Sequence, residues 1–214
     1  MRRIYCISGL GADQRVFQKL RIPGAELVPV AWPAFDRYDD MPCYAQKVLA
    51  QIPEEKPVLI GVSFGGMLSV EIARQLPVTK AILVSSAKTR DELPQVGGFV
   101  QFLLRNNMIP LGLLKNFHNQ MAARFGASTE EEKKLLVSIV SETDNSFVRW
   151  ALQVLLGWQN HEVPPGVVHI HGTADRMIPP DNVKPDYWID GGTHFMIYDR
   201  AAEISGIIVS QLAE

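Results

Sequence analysis

The sequence predicts an α/β fold, in which a doubly wound, mostly parallel sheet of about six strands carries an inserted helical cap. Short apolar runs alternate with longer segments of helical periodicity over residues 1–86, the order typical of such a sheet. The runs at residues 58–60 and 81–84 are continuously apolar, as expected for parallel strands covered on both faces. The alternation stops near residue 93 and resumes after residue 160. We therefore expect a core of residues 1–92 and 160–214 and a helical lid at residues 93–159.

The individual elements follow from the period of their apolar residues. Strands are predicted at residues 4–7, 27–30, 58–60, 81–84, 167–170 and 187–189, and helices at residues 13–20, 44–52, 67–76 and 204–212. Inside the insertion, apolar residues keep helical spacing from Phe99 to Met121. Thr129 and Glu132 have the spacing of a capping box, which predicts the start of a further helix, and another helix is expected from Asn145.

Composition and charge narrow the class of protein. Of the 214 residues, 47% are hydrophobic, and the net charge is −2 with both signs scattered, whereas a nucleic-acid-binding protein would show a basic stripe. No apolar run approaches the roughly 18 residues of a membrane helix. The basic start at Arg2 and Arg3 leads into a short apolar run without a cleavage pattern, which favours a strand over a signal peptide. Cys6 and Cys43 are expected to be free thiols in a cytoplasmic protein. Nothing in the sequence specifies an oligomeric state.

A serine lies on a tight turn between a predicted strand and a predicted helix. Residues 61–66 read Gly-Val-Ser-Phe-Gly-Gly, with Ser63 at the centre. A nucleophilic serine needs such a turn, because the turn exposes its hydroxyl above the sheet edge and the glycines let the helix pack close. The same pattern also fits a Gly-rich connection or a phosphate-binding turn. Ser63 is therefore the candidate nucleophile.

An aspartate and a histidine follow the last two predicted strands. Asp175 ends the segment His-Gly-Thr-Ala-Asp after one strand, and His194 ends the segment Gly-Gly-Thr-His after the next. The carboxyl ends of parallel strands share one edge of the sheet, where ligands bind. We therefore expect Ser63, Asp175 and His194 to converge there, in the chain order of a hydrolase triad. Asp190 and Asp199, which flank His194, are the alternative acids.

These residue types supply the parts of a nucleophilic mechanism. A serine hydroxyl is a weak nucleophile until an imidazole takes its proton, and a buried carboxylate holds that imidazole in the right tautomer. Backbone N–H groups must then stabilise the charge that develops on the substrate oxygen. The predicted donors of this oxyanion hole are Phe64, which follows the nucleophile, and Leu10, in the Ser-Gly-Leu-Gly loop after the first strand. That loop also fits a simple Gly-rich turn.

Taken together, these segments make the chain resemble the α/β-hydrolase superfamily over nearly its whole length. The loop at residues 8–11, the turn at residues 61–66 and the segments ending in Asp175 and His194 match the family's oxyanion, nucleophile, acid and base segments. Two departures stand out. The first strand already leads into the oxyanion loop, so two strands that usually precede it are missing, and the loop begins with Ser-Gly where many relatives have His-Gly. The resemblance implies a smaller sheet and a hydrolase that uses this triad.

We therefore predict a cofactor-free, carboxylesterase-like serine hydrolase that cleaves a small ester, thioester or amide with an uncharged acyl group. The same triad also serves C–C bond hydrolysis, cyanohydrin cleavage and perhydrolysis, because fold and triad do not determine the substrate. A small-molecule receptor with little turnover is the alternative outside the enzymes. Some apolar residues of the insertion, with Trp150 and Trp158 among the candidates, are expected to face the pocket.

Two weaker patterns point to other classes of site. His169 and His171 lie on one face of a strand, as metal ligands sometimes do, but no third ligand is close in sequence and we predict no metal. Gly9 and Gly11 lack the rest of a dinucleotide fingerprint, so no nucleotide cofactor is predicted.

Overall fold

The computed structural model describes residues 1–95, 97 and 118–213, and these residues form an α/β fold around one sheet. The strands are β1 (Arg2–Ile7), β2 (Ala25–Pro29), β3 (Val58–Val62), β4 (Lys80–Val84), β5 (Val167–Gly172) and β6 (Tyr187–Ile189). Their spatial order is β2-β1-β3-β4-β5-β6, and every neighbouring pair is parallel. The predicted α/β fold with a sheet of about six strands is therefore confirmed, and the sheet is wholly parallel.

Helices connect the strands and cover the sheet. They are α1 (Met41–Leu49), α2 (Phe64–Gln75), α3 (His118–Phe125), α4 (Glu130–Glu142), α5 (Asn145–Gly157), α6 (Met196–Asp199) and α7 (Ala201–Ala213). Shorter helical turns lie at Gln14–Phe17, Arg90–Glu92 and Pro180–Asn182. Within the described ranges, no helix is both long and apolar enough to span a membrane. Cys6 and Cys43 are free thiols, as predicted.

Both faces of the sheet are buried. In β1, Ile4 and Cys6 belong to the apolar core on one side, whereas Tyr5 and Ile7 belong to the core on the other side. Helix α7 packs on the first side, and α1 and α2 pack on the second. Fully buried core residues of these helices are Tyr44, Val48, Leu68, Ile72, Ile204 and Ile208. Burial on both faces explains why β3 and β4 appear in the sequence as continuous apolar runs.

The strand order reverses beside β1. The chain runs outward from β1 to β2 and then crosses back to place β3 on the other side of β1. In open parallel sheets, the carboxyl ends of the strands form a crevice at such a reversal, and ligands bind in it. Because β1 ends at Ile7 and β3 ends at Val62, the loop after β1 and Ser63 both lie at this point.

One predicted helix is wrong. In place of a helix over residues 13–20, the chain makes a single tight turn at Gln14–Phe17, which the side chain of Asp13 caps. Backbone N–H groups in this segment bond to carbonyls three residues back, as Leu20 does to Phe17 at 3.0 Å. Val16, Phe17 and Leu20 are nevertheless buried. The apolar pattern therefore identified the buried face, but tertiary packing determined the backbone path.

Helices α1 and α2 begin three residues earlier than the apolar pattern predicts. The carboxylate of Asp40 caps α1 by accepting the N–H of Cys43 at 2.9 Å, and Pro42 occupies the first turn. A proline is tolerated there because an N–H at that position has no helical acceptor. Helix α2 begins at Phe64, directly after Ser63.

Between β4 and β5, the described residues contain helices and no strand. The predicted capping box of α4 is confirmed, since Thr129 Oγ1 accepts the Glu132 N–H at 3.2 Å and the Glu132 carboxylate accepts the Thr129 N–H at 3.0 Å. Helix α5 begins at Asn145, as predicted. Of the helical residues predicted from Phe99 to Met121, those up to Phe117 lie outside the described residues, and Met121 lies in α3. The division into a core and a lid at residues 93–159 stays a prediction.

The start of α2 packs directly against the ends of β1 and β3. A side chain at Gly65 would collide with the backbone carbonyl oxygens of Ile7 and Ser8, and one at Gly61 would collide with the backbone of Gly65 and Gly66. The strand and helix backbones touch at these positions, so only glycine fits there.

This packing makes Gly65→Ala a test of the fold. We expect it to lower the free energy of unfolding by at least about 2 kcal/mol, because β1 is hydrogen-bonded to β2 on one side and to β3 on the other. Gly206→Ala is the matched control, since a Cβ at Gly206 in α7 meets no atom within 4 Å. That change should raise stability by about 0.5–1 kcal/mol. Urea unfolding measures both, and a Gly65→Ala protein as stable as the wild type would contradict the packing.

Candidate active site

Ser63 lies on the turn from β3 to α2 in a backbone conformation that few non-glycine residues adopt. Its φ is 52° and its ψ is −119°, which marks a locally strained position. The Ser63 N–H donates to the Val84 carbonyl at 3.1 Å, and the Ser63 carbonyl accepts from the Ser86 hydroxyl at 2.6 Å. These bonds to the end of β4 and the residues after it hold the turn in place.

His194 joins this serine to Asp175. The imidazole Nε2 lies 3.0 Å from Ser63 Oγ, and Nδ1 lies 2.7 Å from Asp175 Oδ2. An ionised carboxylate only accepts hydrogen bonds, so Nδ1 carries the proton and Nε2 accepts from the serine hydroxyl. The ring of Phe125 packs edge-on against the imidazole, with the centroids 5.3 Å apart. The structure therefore brings the three predicted residues into one hydrogen-bonded chain.

Asp175 is buried in a tight turn after β5. Its Oδ1 accepts the N–H of Met177 at 2.8 Å and the N–H of Ile178 at 3.0 Å. Burial alone would raise the pKa of this carboxyl, but His194 and the Ile178 N–H outweigh burial and lower the pKa from its ordinary value. Asp175 is therefore an ionised carboxylate at neutral pH, although it is almost fully buried.

The geometry favours Asp175 over the two alternative acids. Both ring nitrogens of His194 are already engaged, one by Asp175 and one by Ser63. Asp190 is exposed and accepts a hydrogen bond from the Thr173 hydroxyl at 3.2 Å. Asp199 is exposed at the end of α6.

The two residues predicted as oxyanion donors both lie close to Ser63. Phe64 is the first residue of α2, so its N–H has no acceptor within the helix. Leu10 lies in the loop after β1, where a Cβ on the neighbouring Gly9 would be 3.3 Å from Ser63 Cβ. Leu10, Ser63 and Phe64 line the same cavity. Both residues therefore lie at the cavity beside the serine, and their role as oxyanion donors stays a prediction.

The loop after β1 is held by hydrogen bonds from residues that the sequence did not point to. The Ser8 hydroxyl and the Trp32 indole N–H both donate to the Ala12 carbonyl, at 2.8 and 3.0 Å. The Thr143 hydroxyl, just after α4, lies 2.9 Å from the Gly11 carbonyl oxygen and 2.9 Å from the Ile139 carbonyl oxygen, so the two carbonyls share its proton. No motif links Trp32 or Thr143 to this loop, because distant parts of the chain make the contacts.

An ion-pair network also connects α4 to the segment that follows this loop. Arg15 Nη2 lies 2.6 Å from Asp13 Oδ2 and 2.7 Å from Glu142 Oε2. Arg15 Nη1 donates to the Ser138 hydroxyl at 2.9 Å. Polar contacts near its C-terminal end therefore hold helix α4 against the segment that follows β1.

Ser63 and His194 line a largely apolar cavity of about 370 Å³. Among the described residues that line it, Arg90 is the only Asp, Glu, Lys or Arg. Helices α3, α4 and α5 contribute Phe125, Leu136, Ile139, Val140, Leu152, Leu155 and Leu156 to its wall. The space beside the serine therefore suits a modest apolar group.

The two tryptophans named as pocket candidates do not line this cavity. Trp150 stacks on Phe35 with the ring centroids 5.0 Å apart. The Trp158 indole N–H donates to the buried carboxylate of Glu71 at 2.6 Å. Both are core residues that pack α5 and its end onto the sheet domain, which is the ordinary role of a large aromatic side chain.

Comparisons with known proteins agree with this architecture. No curated protein matches the sequence. The structure is similar to an esterase (EaEST) from Exiguobacterium antarcticum, with a TM-score of 0.72 at 15% identity over 100% of this chain and 92% of that chain. It is also similar to a bromoperoxidase from Bacillus anthracis, with a TM-score of 0.70 at 14% identity over 100% of this chain and 92% of that chain. At these identities the likeness shows the fold alone.

A third similar structure is that of a mutant of the N-acyl homoserine lactonase AidH complexed with N-hexanoyl homoserine lactone. Its TM-score is 0.71 at 17% identity, over 99% of this chain and 90% of that chain. The sequence itself matches the Alpha/beta hydrolase family over residues 4–206. Because that match spans nearly the whole chain and the six-stranded sheet agrees with it, the chain belongs to the alpha/beta hydrolase family.

Proposed function

We propose that this protein is a carboxylesterase-like serine hydrolase that cleaves a small ester, thioester or amide through an acyl-enzyme. The observation that supports this proposal is the chain of hydrogen bonds from Asp175 through His194 to Ser63, at 2.7 and 3.0 Å, in the wall of an apolar cavity. A nucleophile, a base and a carboxylate that orients the base are the groups that this mechanism requires.

In the first half-reaction, Ser63 Oγ attacks the substrate carbonyl carbon while His194 Nε2 takes the hydroxyl proton. The ionised Asp175 stabilises the imidazolium that forms and does not itself take the proton. His194 then gives the proton to the leaving alcohol, thiol or amine, and the acyl group stays on Ser63. A water molecule, activated by His194 in the same way, releases the acid and regenerates the serine.

Attack by Ser63 Oγ first gives a tetrahedral intermediate, in which the former carbonyl oxygen carries the negative charge. The N–H groups of Phe64 and Leu10 are the proposed donors to this oxygen. Phe64 is suited to the role because the start of a helix leaves its N–H unpaired and carries a partial positive charge. Such donors are held ready before the reaction, so no reorganisation is needed when the charge develops.

The cavity wall supports an uncharged acyl group as the part of the substrate held beside Ser63. Aliphatic side chains of α4 and α5 form much of this wall, and burying a charge against them would be unfavourable. We therefore propose that the helices between β4 and β5 act as a lid that selects the acyl group. The proposed reaction needs a small-molecule substrate and water, and no step in it calls for a cofactor.

The first prediction concerns the nucleophile. Ser63→Ala should lower kcat for p-nitrophenyl butyrate by about a thousandfold or more, because only binding and oxyanion effects remain. Labelling by a fluorophosphonate probe should disappear with it. Ser210→Ala, which removes an exposed hydroxyl from α7, is the control and should behave like the wild type. A Ser63→Ala protein with full activity would exclude Ser63 as nucleophile.

The second prediction assigns the acid. Asp175→Asn keeps the shape of the side chain but removes the charge that supports the imidazolium, and it should lower kcat by up to about 10⁴-fold. Asp190→Asn changes an exposed carboxylate that contacts Thr173 and should leave kcat unchanged. Steady-state kinetics on both variants decide between them. The reverse outcome, with Asp190→Asn inactive and Asp175→Asn active, would move the role to Asp190.

The third prediction concerns the lid. Val140 on α4 lines the cavity, so Val140→Phe should shorten it and reduce kcat/KM for octanoyl relative to acetyl esters by about tenfold. Lys134→Ala, an exposed change on the same helix, should keep the wild-type ratio. If Val140→Phe also keeps that ratio while remaining folded, this part of the insertion has only a structural role.

A further inference from the structure

Two buried histidines that the proposed mechanism does not use lie behind Asp175. His169 and His171 on β5 are both fully buried. His169 Nε2 lies 3.2 Å from His171 Nδ1, and His171 Nε2 lies 3.0 Å from the Ile178 carbonyl oxygen. The same His171 Nε2 is 3.6 Å from Asp175 Oδ2. The pair therefore reaches from the interior of the sheet to the turn that carries the proposed acid.

The protonation of the two rings follows from these contacts. Burial lowers the pKa of His169 and of His171, so both rings are neutral at neutral pH. A carbonyl oxygen only accepts hydrogen bonds, so His171 carries its proton on Nε2 and donates to Ile178. His171 Nδ1 is then an acceptor, and His169 donates to it from Nε2. The rings are thus hydrogen-bonded to each other in defined tautomers.

Ile178 is the residue through which His171 reaches Asp175. Its carbonyl accepts from His171, and its N–H donates to Asp175 Oδ1 at 3.0 Å. The other carboxylate oxygen, Oδ2, is the one bonded to His194. A shift of Ile178 would therefore remove a donor from one side of the carboxylate and tilt the other side away from the imidazole. Orientation of this carboxylate decides which nitrogen of His194 carries the proton.

We propose that His171 is a positioning residue for the reaction. It holds the turn from Asp175 to Ile178, and so keeps the carboxylate aligned with His194, while His169 selects the tautomer that allows His171 to donate. The inference rests on the proposed function, because it requires Asp175 to act through His194.

Substitutions at His171 separate the hydrogen bond from the packing. His171→Leu removes the donor at similar volume, and it should lower kcat for p-nitrophenyl butyrate by about 10- to 100-fold with KM changed less than about twofold. His171→Gln keeps an N–H near the position of Nε2 and should recover most of the loss. His161→Gln is the matched control, because His161 is exposed and pairs with Asp91 at the surface. It should keep the wild-type kcat.

The decisive measurement repeats His171→Leu in the Asp175→Asn background. A residue that acts through the Asp175 carboxylate has little further effect once the carboxylate is gone. We therefore expect kcat to change by less than about threefold in that background. An equal fold loss in both backgrounds would show a purely structural role and overturn the proposal, as would a His171→Leu enzyme with wild-type kcat.

His169→Leu provides a second route if His171→Leu is not recovered folded. It leaves His171 in place but removes the bond that selects its tautomer, so kcat should fall by about 3- to 10-fold, and only when Asp175 is present. Wild-type kcat in His169→Leu, or an equal fold loss with and without the Asp175 carboxylate, would then overturn the proposal. Wild-type kcat in Asp175→Asn would instead refute the proposed function. The two failures are therefore distinguishable.

Discussion

The backbone contact between Gly65 and the end of β1 is the constraint on which the rest of the site depends. A side chain at Gly65 would strike the carbonyl oxygens of Ile7 and Ser8, so α2 starts directly against this strand end only because the residue is glycine. This contact brings the loop after β1 next to Ser63, where a Cβ on Gly9 would be 3.3 Å from the serine Cβ. The proposed nucleophile and both proposed oxyanion donors therefore lie where the backbone at the start of α2 meets the backbone at the end of β1.

A second close contact between backbones joins the loops that carry Asp175, the proposed acid, and His194, the proposed base. A Cβ on Gly172, at the end of β5, would collide with the backbone of Gly192 after β6. The Ala174 N–H donates to the Gly192 carbonyl at 2.9 Å, and the Thr173 N–H donates to the Ile189 carbonyl at 3.0 Å. The two loops are thus bonded to each other before any side chain of the site is considered. The Asp175–His194 hydrogen bond depends on this backbone scaffold as well as on its own two partners.

The sequence predicted the elements that depend on local pattern and strand order. Continuous apolar runs marked the buried strands, and the position of Ser63, Asp175 and His194 after three of those strands was enough to place them at one edge. The turn at Gln14–Phe17 was predicted as a helix, because periodicity identifies a buried face but not the backbone path that buries it.

Contacts between residues far apart in the sequence could not be predicted, because no local pattern indicates them. The indole N–H of Trp32 donates to the Ala12 carbonyl, 20 positions earlier in the chain, and no residue pattern near Trp32 indicates this contact. His169 and His171 were recognised as a pattern, but their partners are each other and Ile178, which only the folded chain reveals. The large aromatic residues between β4 and β5 were expected to line the pocket. Trp158 instead donates a hydrogen bond to the buried carboxylate of Glu71. The type of a residue alone does not show whether its side chain lines a cavity or packs one segment of the chain against another.

The polar contacts at the end of α4 mechanically couple the cavity wall to the loop that carries Leu10. Thr143 holds the Gly11 carbonyl, and Glu142 pairs with Arg15 just beyond that loop. In the proposed reaction, an acyl group that is too bulky would push α4 outward, and the same movement would pull on the backbone that is proposed to face the reacting oxygen. Poor fit would then weaken stabilisation of the transition state and not only binding of the ground state. Discrimination by size would therefore be expressed in kcat as well as in KM.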